Sequence, residues 1–490
     1  MGRQDEPERL FYEFRLESHV PRDHLLRGID AVFDFSATRK SLDPYYSSTG
    51  RPSIDPELMI RMLLIGYCFG IRSERRLCEE VHLNLAYRWF CRLGLEGAVP
   101  DHSTFSKNRH GRFRESELFR RVFEEVVRAC MKAGLVGGEG FAIDASVIEA
   151  DASRNHRIEG KLTAAPADAA ATRPVREYLE ALDKSAATET AKSADDGDDA
   201  PRGNPPAEPK YTSLTDPAAA WTNKGQTKAL FAYGTNYLID TKAAVIVDVE
   251  ATPARWSAEV AATKTMLTRT QESFRLTPET LAADAAYGSG LMLGWLMRRG
   301  IEPHIPILDR EHQTKGYFTR ADFAFDATAN VFTCPAGKKL LNNGPVRDDG
   351  TMPYRASTRD CRDCALKARC TKAASRIVTR NLYEAERAHV RGLRETPEYK
   401  RSSRLRKKVE MCFAHLKRNL NFRRLRLRGL SGAKDRTVAR RVSVRERGRM
   451  PPGPTLGGKI GDRPRDPHRA DHPSRRKITP AESFSTASDS

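Results

Sequence analysis

Long apolar runs, a secretion signal and a dense set of cysteines are all missing from this sequence of 490 residues. The longest apolar run, residues 62–71, falls far short of the roughly 20 residues that a membrane-spanning helix needs. The first ten residues lack the basic and then apolar pattern of a secretory signal. Nine cysteines suit a reducing compartment better than a disulfide scaffold. These absences exclude a membrane protein and predict a cytoplasmic location.

Positive charge is in excess and is concentrated near the carboxyl end. The chain has 83 Lys and Arg against 64 Asp and Glu, a formal net charge of +19. Residues 401–449 contain eighteen Lys or Arg and three acids, which places +15 of that charge in about a tenth of the chain. One intensely basic segment is typical of proteins that bind a polyanion, most commonly nucleic acid. The alternative is a solvated basic face or tail.

The hydrophobic pattern divides the chain into unlike parts. We expect an N-terminal segment over residues 1–45 and an all-α domain over 46–130, where short apolar-periodic stretches alternate with turns. Alternating strand and helix patterns over 136–435 predict an α/β core with a mixed sheet. Two insertions interrupt it: a low-complexity segment over 154–217, expected to be disordered, and a cysteine-containing segment over 315–375. Residues 436–490 are expected to form a disordered basic tail.

Two aspartates in the predicted core share a local context. Asp144 and Asp284 each follow a short apolar run and precede small residues. An acid at the carboxyl end of a strand points into the crevice where open sheets bind ligands. Divalent cations prefer carboxylate oxygens, and two such ions can clamp the attacking and leaving oxygens of a phosphodiester. For either residue alone, a turn or helix cap is the alternative.

A third acid lies within the basic segment. Glu410 is the only acid between positions 398 and 435, on a predicted helix whose apolar stripe includes Val409 and Phe413. Arg406, Glu410 and Lys417 are spaced by four and seven residues, so they share another face. Taken alone, Glu410 is explained by a local ion pair. Together with the two aspartates, it indicates a metal ligand in a phosphate-binding groove.

In this order, the motifs resemble those of bacterial insertion-sequence transposases with a DDE catalytic triad. Residues 406–417 resemble the family's Tyr-x2-Arg-x3-Glu-x6-Lys signature, with Ser403 in the place of the tyrosine. Residues 143–150 and 281–287 are similar to its two aspartate motifs, and residues 50–114 resemble its N-terminal helical domain. The resemblance covers about residues 15–435 outside the low-complexity insertion.

The resemblance implies an RNase H-like core in which Asp144, Asp284 and Glu410 hold two Mg²⁺ ions, with Mn²⁺ as a substitute. It implies a nucleoid-associated enzyme that binds the terminal inverted repeats of its own insertion sequence, cleaves DNA strands and transfers them to target DNA. Its expected partners are DNA and further copies of the chain, without a membrane. The DNA-contacting residues are expected to be Arg406, Lys407, Lys408, Lys417, Arg418, Lys107 and Arg109.

Two other functions remain open. A Mg²⁺-dependent nuclease on the same core would cut DNA without joining it. A catalytically inactive DNA-binding regulator, or the product of a decayed element, would do neither. The abrupt change in composition near residue 435 also leads to the hypothesis that the reading frame has shifted there, so that residues 436–490 are translated out of frame.

Four cysteines fall in one polar stretch and include a Cys-x2-Cys pair: Cys334, Cys361, Cys364 and Cys370. Four thiols suit a tetrahedral zinc site, and Phe332, Tyr354 and nearby basic residues would suit nucleic acid. The alternative is four reduced thiols without a ligand. The remaining five cysteines are expected to be core residues of helices.

Overall fold

The computed structural model describes residues 14–439 except 34, 47, 48, 50–52, 72, 112, 114, 115, 165–171, 193–207, 224–227, 308–315, 343, 348 and 349. They form an N-terminal helical bundle, a mixed sheet with its helices and a small antiparallel sheet. No helix in these ranges is both long and apolar enough to cross a bilayer. Residues 440–490 of the predicted tail lie outside the described residues.

One bundle core unites the first eight helices. They are α1 (Leu16–His19), α2 (Leu25–Val32), α3 (Phe35–Leu42), α4 (Pro56–Cys68), α5 (Glu74–Leu83), α6 (Leu85–Phe90), α7 (His102–His110) and α8 (Leu118–Lys132). The α4 helix begins at Pro56, because Asp55 accepts a hydrogen bond from the Glu57 N–H at 2.8 Å and caps the helix. Leu26, Ile29 and Phe35 are buried in the same core as α4. The predicted boundary at residue 45 therefore separates no structural unit.

The mixed sheet has antiparallel strands on one side and parallel strands on the other. Its strands are β1 (Gly140–Glu149), β4 (Ala220–Thr222), β5 (Leu230–Asp240), β6 (Val245–Pro253), β7 (Thr280–Ala282) and β8 (Glu302–His304), and a separate pair is formed by β2 (Arg157–Glu159) and β3 (Tyr211–Ser213). The spatial order is β6-β5-β1-β7-β8, with β4 beside the start of β5. Strand β5 is antiparallel to β1 and β6, whereas β7 is parallel to β1 and to β8. The α/β class and the RNase H-like mixed sheet are confirmed.

Helices cover this sheet and close its core. In chain order the remaining helices are α9 (Arg173–Lys192), α10 (Trp256–Phe274), α11 (Gly290–Met297), α12 (Thr358–Arg362), α13 (Lys367–Cys370), α14 (Glu384–Leu393), α15 (Pro397–Arg418) and α16 (Gly429–Ala439), of which α12 and α13 belong to the small antiparallel sheet instead. Helix α10 packs against β5 and β6, and α15 packs against β1, β7 and β8. Helix α16 packs against β6 and α8, so the bundle and the sheet meet there.

The low-complexity insertion contains regular structure, which corrects the expectation of disorder over all of 154–217. It supplies the β2–β3 pair and α9, while 165–171 and 193–207 lie outside the described residues. Arg173 donates to Glu177 and to the Ser431 hydroxyl of α16, both at 2.7 Å, and Val175 is buried. The hydrogen bond from Arg173 to α16 thus holds the start of α9 in place. The helix has few apolar residues, so the sequence pattern does not predict it.

Helix α16 extends four residues beyond the predicted core boundary at 435. Thr437 and Val438 are buried, and Val438 belongs to the core of the mixed sheet. The segment is too short for apolar periodicity to show, so the composition alone placed the boundary too early.

The cysteine module, residues 316–381, is a five-stranded antiparallel sheet. It contains β9 (Ala324–Asp326), β10 (Val331–Thr333), β11 (Lys339–Asn342), β12 (Thr351–Ala356) and β13 (Ile377–Asn381) in the order β13-β12-β11-β10-β9, with α12 and α13 between β12 and β13. It therefore runs past the predicted end at 375. Phe332 and Tyr354 are buried in its core, so their predicted contact with nucleic acid is wrong.

Candidate active site

Asp144 and Asp284 lie at the same level of two neighbouring parallel strands. Ala142 of β1 pairs with Ala282 of β7, and each aspartate lies two residues further on. Because paired strands are about 4.8 Å apart, the two carboxylates are brought side by side. Asp284 lies just beyond β7, as predicted. Asp144 lies in the middle of β1 rather than at its end, because β5 continues to pair with β1 beyond the point where β7 stops.

Backbone donors orient both carboxylates. Asp144 accepts a hydrogen bond from the Ala145 N–H, and Asp284 accepts one from the Ala286 N–H, each at 2.8 Å. The second bond caps the short helical turn Ala285–Tyr287. The indole N–H of Trp256 donates to the Ala286 carbonyl at 2.8 Å, which leaves an exposed indole ring beside this turn.

Helix α15 brings Glu410 over the sheet. Its buried stripe includes Val409, Phe413 and Leu416, as the sequence spacing predicts. The Phe413 ring lies 4.3 Å from that of Tyr237, which is the β5 residue paired with Asp144. Glu410 is next to this stripe and its side chain is 55% exposed.

Arg406 lies between two of the acids. Its guanidinium is 3.5 Å from Asp144 Oδ2 and 3.5 Å from Glu410 Oε1. Burial raises the pKa of Asp144, and the negative charges of Asp284 and Glu410 raise it further, while the Ala145 N–H and Arg406 lower it in part. The charges of Asp284 and Glu410 therefore act on the Asp144 carboxylate. Arg406 is the counter-ion that lies next to Asp144 and Glu410.

Two further polar groups at this site escaped the sequence analysis as functional candidates. The Tyr287 hydroxyl is buried and has no hydrogen-bond partner among the described residues. Burial raises the pKa of Tyr287, and the charges of Glu259, Asp144 and Asp284 raise it further. Tyr287 lies in the second aspartate motif, and this position in the sequence could have identified it as a candidate site residue. Glu259, on α10, has no such motif, and only the packing of α10 on the sheet brings it here.

Two lysines of α15 that were expected to contact DNA bind backbone carbonyls instead. Lys408 Nζ donates to the carbonyls of Thr241 and Lys242, at 2.6 and 3.1 Å, in the turn between β5 and β6. Lys417 Nζ donates to the Val147 carbonyl of β1 at 3.0 Å. Both ammonium groups therefore hold α15 on the sheet.

The other expected DNA contacts divide by exposure. Lys407 and Arg418 are exposed on α15, and Lys107 is exposed on α7. Arg109 is buried and pairs with Glu74 at 2.8 Å and the Tyr67 hydroxyl at 2.9 Å. The expected contact of Arg109 with DNA is therefore wrong, because its guanidinium is buried in the bundle and paired with Glu74 and Tyr67.

The donor chemistry at the site fits a divalent cation. Three carboxylates lie beside a buried hydroxyl without a partner, and carboxylate oxygens are what Mg²⁺ binds. Within the described ranges, no three His, Cys, Asp or Glu side chains already surround one point as metal ligands do. Arg406 occupies part of the space between Asp144 and Glu410.

The nine cysteines, all within the described residues, fall into the two predicted groups, and none of them is in a disulfide bond. Cys68, Cys91 and Cys412 are buried, and Cys78 and Cys130 are half-buried, in or directly beside helices. The other four, Cys334, Cys361, Cys364 and Cys370, are half-buried in the cysteine module.

Two segments of the chain match transposase domain families. Residues 14–111 match a transposase domain (DUF772), and residues 333–438 match a transposase DDE domain. The chain therefore contains two segments similar to transposase domains, the second of them of the DDE class. Because the first match falls in the helical bundle and the second contains Glu410, the prediction of an insertion-sequence DDE transposase is confirmed at the level of domains. The signature spacing itself is not tested by these matches.

Solved structures similar to this chain are also transposases. One is the cryo-EM structure of a piggyBac transposase synaptic complex with hairpin DNA, at 8% identity and a TM-score of 0.31, covering 86% of this chain and 72% of that one. Another is the Mos1 transposase paired-end complex with the left transposon end, at 9% identity and a TM-score of 0.15, covering 53% and 61%. Both scores are low, so the fold assignment rests on the strand order and pairing.

Proposed function

We propose that this chain binds the terminal inverted repeats of its own insertion sequence, cleaves DNA strands there and joins them to target DNA. The proposal rests on one observation: three carboxylates from two parallel strands and a basic helix gather at one edge of the sheet. A transposase of the DDE class needs such a set of acids. The helical bundle would supply the contacts that distinguish the element's ends.

Asp144, Asp284 and Glu410 would hold two Mg²⁺ ions, for which Mn²⁺ can substitute. When bound, the ions supply Lewis acidity to the attacking and leaving oxygens of a phosphodiester. Arg406 lies between Asp144 and Glu410, and its guanidinium would turn from them to a DNA phosphate. Lys407 and Arg418, both exposed on the same helix, would contact the backbone on either side, and Lys107 would do so from the bundle.

The test is cleavage and end-joining on a plasmid that carries the DNA flanking the gene, with Mg²⁺ and with EDTA. We expect wild-type protein to cut the ends and join them to new DNA, and Asp284→Asn to do neither while still binding the ends. Asp183→Asn is the matched control, since Asp183 is an exposed residue of α9.

Each other outcome contradicts part of the proposal. Cleavage without joining, lost in Asp284→Asn, would identify a nuclease on the same core. Binding without cleavage would identify a regulator or a protein damaged by its tail. Repeating the assay with a C-terminus restored to the alternative reading frame separates the last two. Cross-linking on paired ends would show whether copies of the chain assemble, as we expect of a transposase.

A further inference from the structure

The cysteine module has very little apolar core for its length. Among its described residues, the cluster of buried side chains has six members: Phe323, Phe332, Leu340, Tyr354, Ala356 and Val378. Small units with such cores generally need a disulfide, a metal ion or a partner to stay folded. None of the four cysteines of the module is in a disulfide bond, so disulfides do not supply this stability.

Four half-buried thiols belong to this module, and three of them lie against its small core. Cys334 directly follows β10, Cys361 lies in α12, Cys364 lies two residues beyond α12, and Cys370 ends α13. Cys334, Cys361 and Cys370 pack on the buried cluster. Because Cys364 lies three residues after Cys361, the fourth thiol lies near the three that share this core.

The turn after β10 already has one backbone donor aimed at sulfur. The Lys338 N–H donates to Cys334 Sγ at 3.3 Å, and the Gly337 N–H donates to the Cys334 carbonyl at 2.8 Å. Gly337 has φ of +74°, a left-handed conformation that a residue with a side chain rarely adopts. A thiolate accepts such N–H bonds far better than a thiol does, and a metal ion is what keeps a cysteine ionised.

We propose that Cys334, Cys361, Cys364 and Cys370 hold one structural zinc ion that stabilises the cysteine module beside the catalytic helix. Four sulfur ligands in a tetrahedron are typical of structural zinc sites, and soft thiolates favour zinc over Mg²⁺. No three of these thiols already surround one point among the described residues, so binding draws them inward. The short helices and turns that carry three of them allow this movement. The zinc ion fastens the segment between β12 and β13 to the turn after β10.

The test is the zinc content of the full chain, purified without chelator and measured by elemental mass spectrometry. We expect about one zinc ion per chain in the wild type and a loss of it in the double variant Cys361→Ser/Cys364→Ser. Cys78→Ser/Cys130→Ser is the matched control and should keep its zinc. Asp284→Asn should also keep it, which separates this proposal from the proposed catalytic function.

A second measurement does not depend on how the variant folds. Wild-type protein loaded with Co²⁺ should show the intense visible absorption of a tetrahedral thiolate site, and blocking the thiols of the zinc protein should release the ion to a chromogenic chelator. Wild-type protein that holds no zinc after reconstitution, or whose Cys361 and Cys364 are joined as a disulfide under reducing purification, would overturn the proposal.

Discussion

At the scale of single residues, the site is defined by an excess of negative charge and one shared cation. Asp144, Asp284 and Glu410 come from three separate elements, and Arg406 bridges two of them. The sequence places Arg406 one helical turn before Glu410, which fits a DNA contact equally well. The structure shows that, without DNA, the same guanidinium offsets the repulsion between the acids.

Replacing Arg406 should therefore weaken the metal-free protein. We expect Arg406→Gln to lower the free energy of unfolding in EDTA by on the order of 1 kcal/mol, because the carboxylates lose their counter-ion at a partly exposed site. Mg²⁺ should restore more stability to this variant than it adds to the wild type. Urea denaturation with and without Mg²⁺ measures both. An equal loss in Arg404→Gln, an exposed arginine of the same helix, would contradict this reading.

The buried Tyr287 hydroxyl gives a second residue-scale prediction. Because it lacks a partner among the described residues, Tyr287→Phe should raise the free energy of unfolding by about 1 kcal/mol. If the hydroxyl donates to bound phosphate, cleavage should fall by about tenfold or more at the same time. Denaturation and single-turnover cleavage test the two effects. If the variant is more stable but cleaves DNA at the wild-type rate, Tyr287 has only a packing role.

At the scale of elements, α15 has two kinds of basic residue that look alike in the sequence. Lys408 binds two backbone carbonyls of the β5–β6 turn, whereas its neighbour Lys407 is exposed. We expect Lys408→Ala to lower the free energy of unfolding by about 1–3 kcal/mol, because two carbonyls lose a charged donor. Lys407→Ala should leave stability unchanged.

DNA binding should show the reverse pattern. Lys407→Ala should reduce the slope of log affinity against log salt by about 0.9, the value for one lost phosphate contact, and Lys408→Ala should keep the wild-type slope. Fluorescence anisotropy on end-sequence DNA over a range of salt measures this. Equal slopes for all three proteins would show that Lys407 makes no phosphate contact.

The link between the insertion and α16 predicts a dependence on pH. Asp216 is buried, and burial raises its pKa to about 6, although hydrogen bonds from the Tyr233 hydroxyl and the Gly429 N–H lower it in part. In the unfolded chain its carboxyl titrates near 3.8. Folded protein therefore binds the proton more tightly, and this stabilisation is complete below pH 3.8 and is lost as the pH rises through 6.

Asp216→Asn should remove that dependence. The contribution amounts to at most about 3 kcal/mol between pH 4 and 6, and the variant should show a flatter stability profile over that range. Urea denaturation at steps of pH measures it. If the stability of the variant depends on pH as that of the wild type does, another group titrates between pH 4 and 6.

At the scale of the whole molecule, one ionic network joins the bundle to the sheet. Buried Asp248 of β6 accepts from Arg120 of α8 at 2.5 Å and from Arg269 of α10 at 2.8 Å. Glu250 accepts from Arg269 at 2.9 Å and from Lys434 of α16 at 2.8 Å. Helices α8 and α16, from distant parts of the chain, therefore meet the neighbouring elements β6 and α10 through two carboxylates.

Breaking this network should be costly. We expect Asp248→Asn to lower the free energy of unfolding by about 3 kcal/mol, because two partly buried guanidinium groups lose their shared charge partner. Denaturation followed by near-ultraviolet circular dichroism measures it. The exposed control Asp183→Asn should change stability by less than about 0.5 kcal/mol.

Much of the fold could be predicted from local patterns. The β5–β6 hairpin, helices α10 and α11, and the stripe of α15 follow from periodicity, since a strand or helix that buries one face must repeat its apolar residues. The expected disorder of 154–217 was wrong where α9 forms, because its stability comes from Arg173 and Glu177 meeting α16. Such a contact has no local signature.

The sequence by itself indicated the class of protein, many strands and helices of the core, and the three acids proposed for the site, because each depends on residue type and short spacing. Only the tertiary structure decided the pairing of charges. It buried Arg109 against Glu74, directed Lys408 and Lys417 to backbone carbonyls, and placed Arg406 between the acids. The physical reason is that charge is a property of a residue, whereas its partner is set by which distant elements pack beside it.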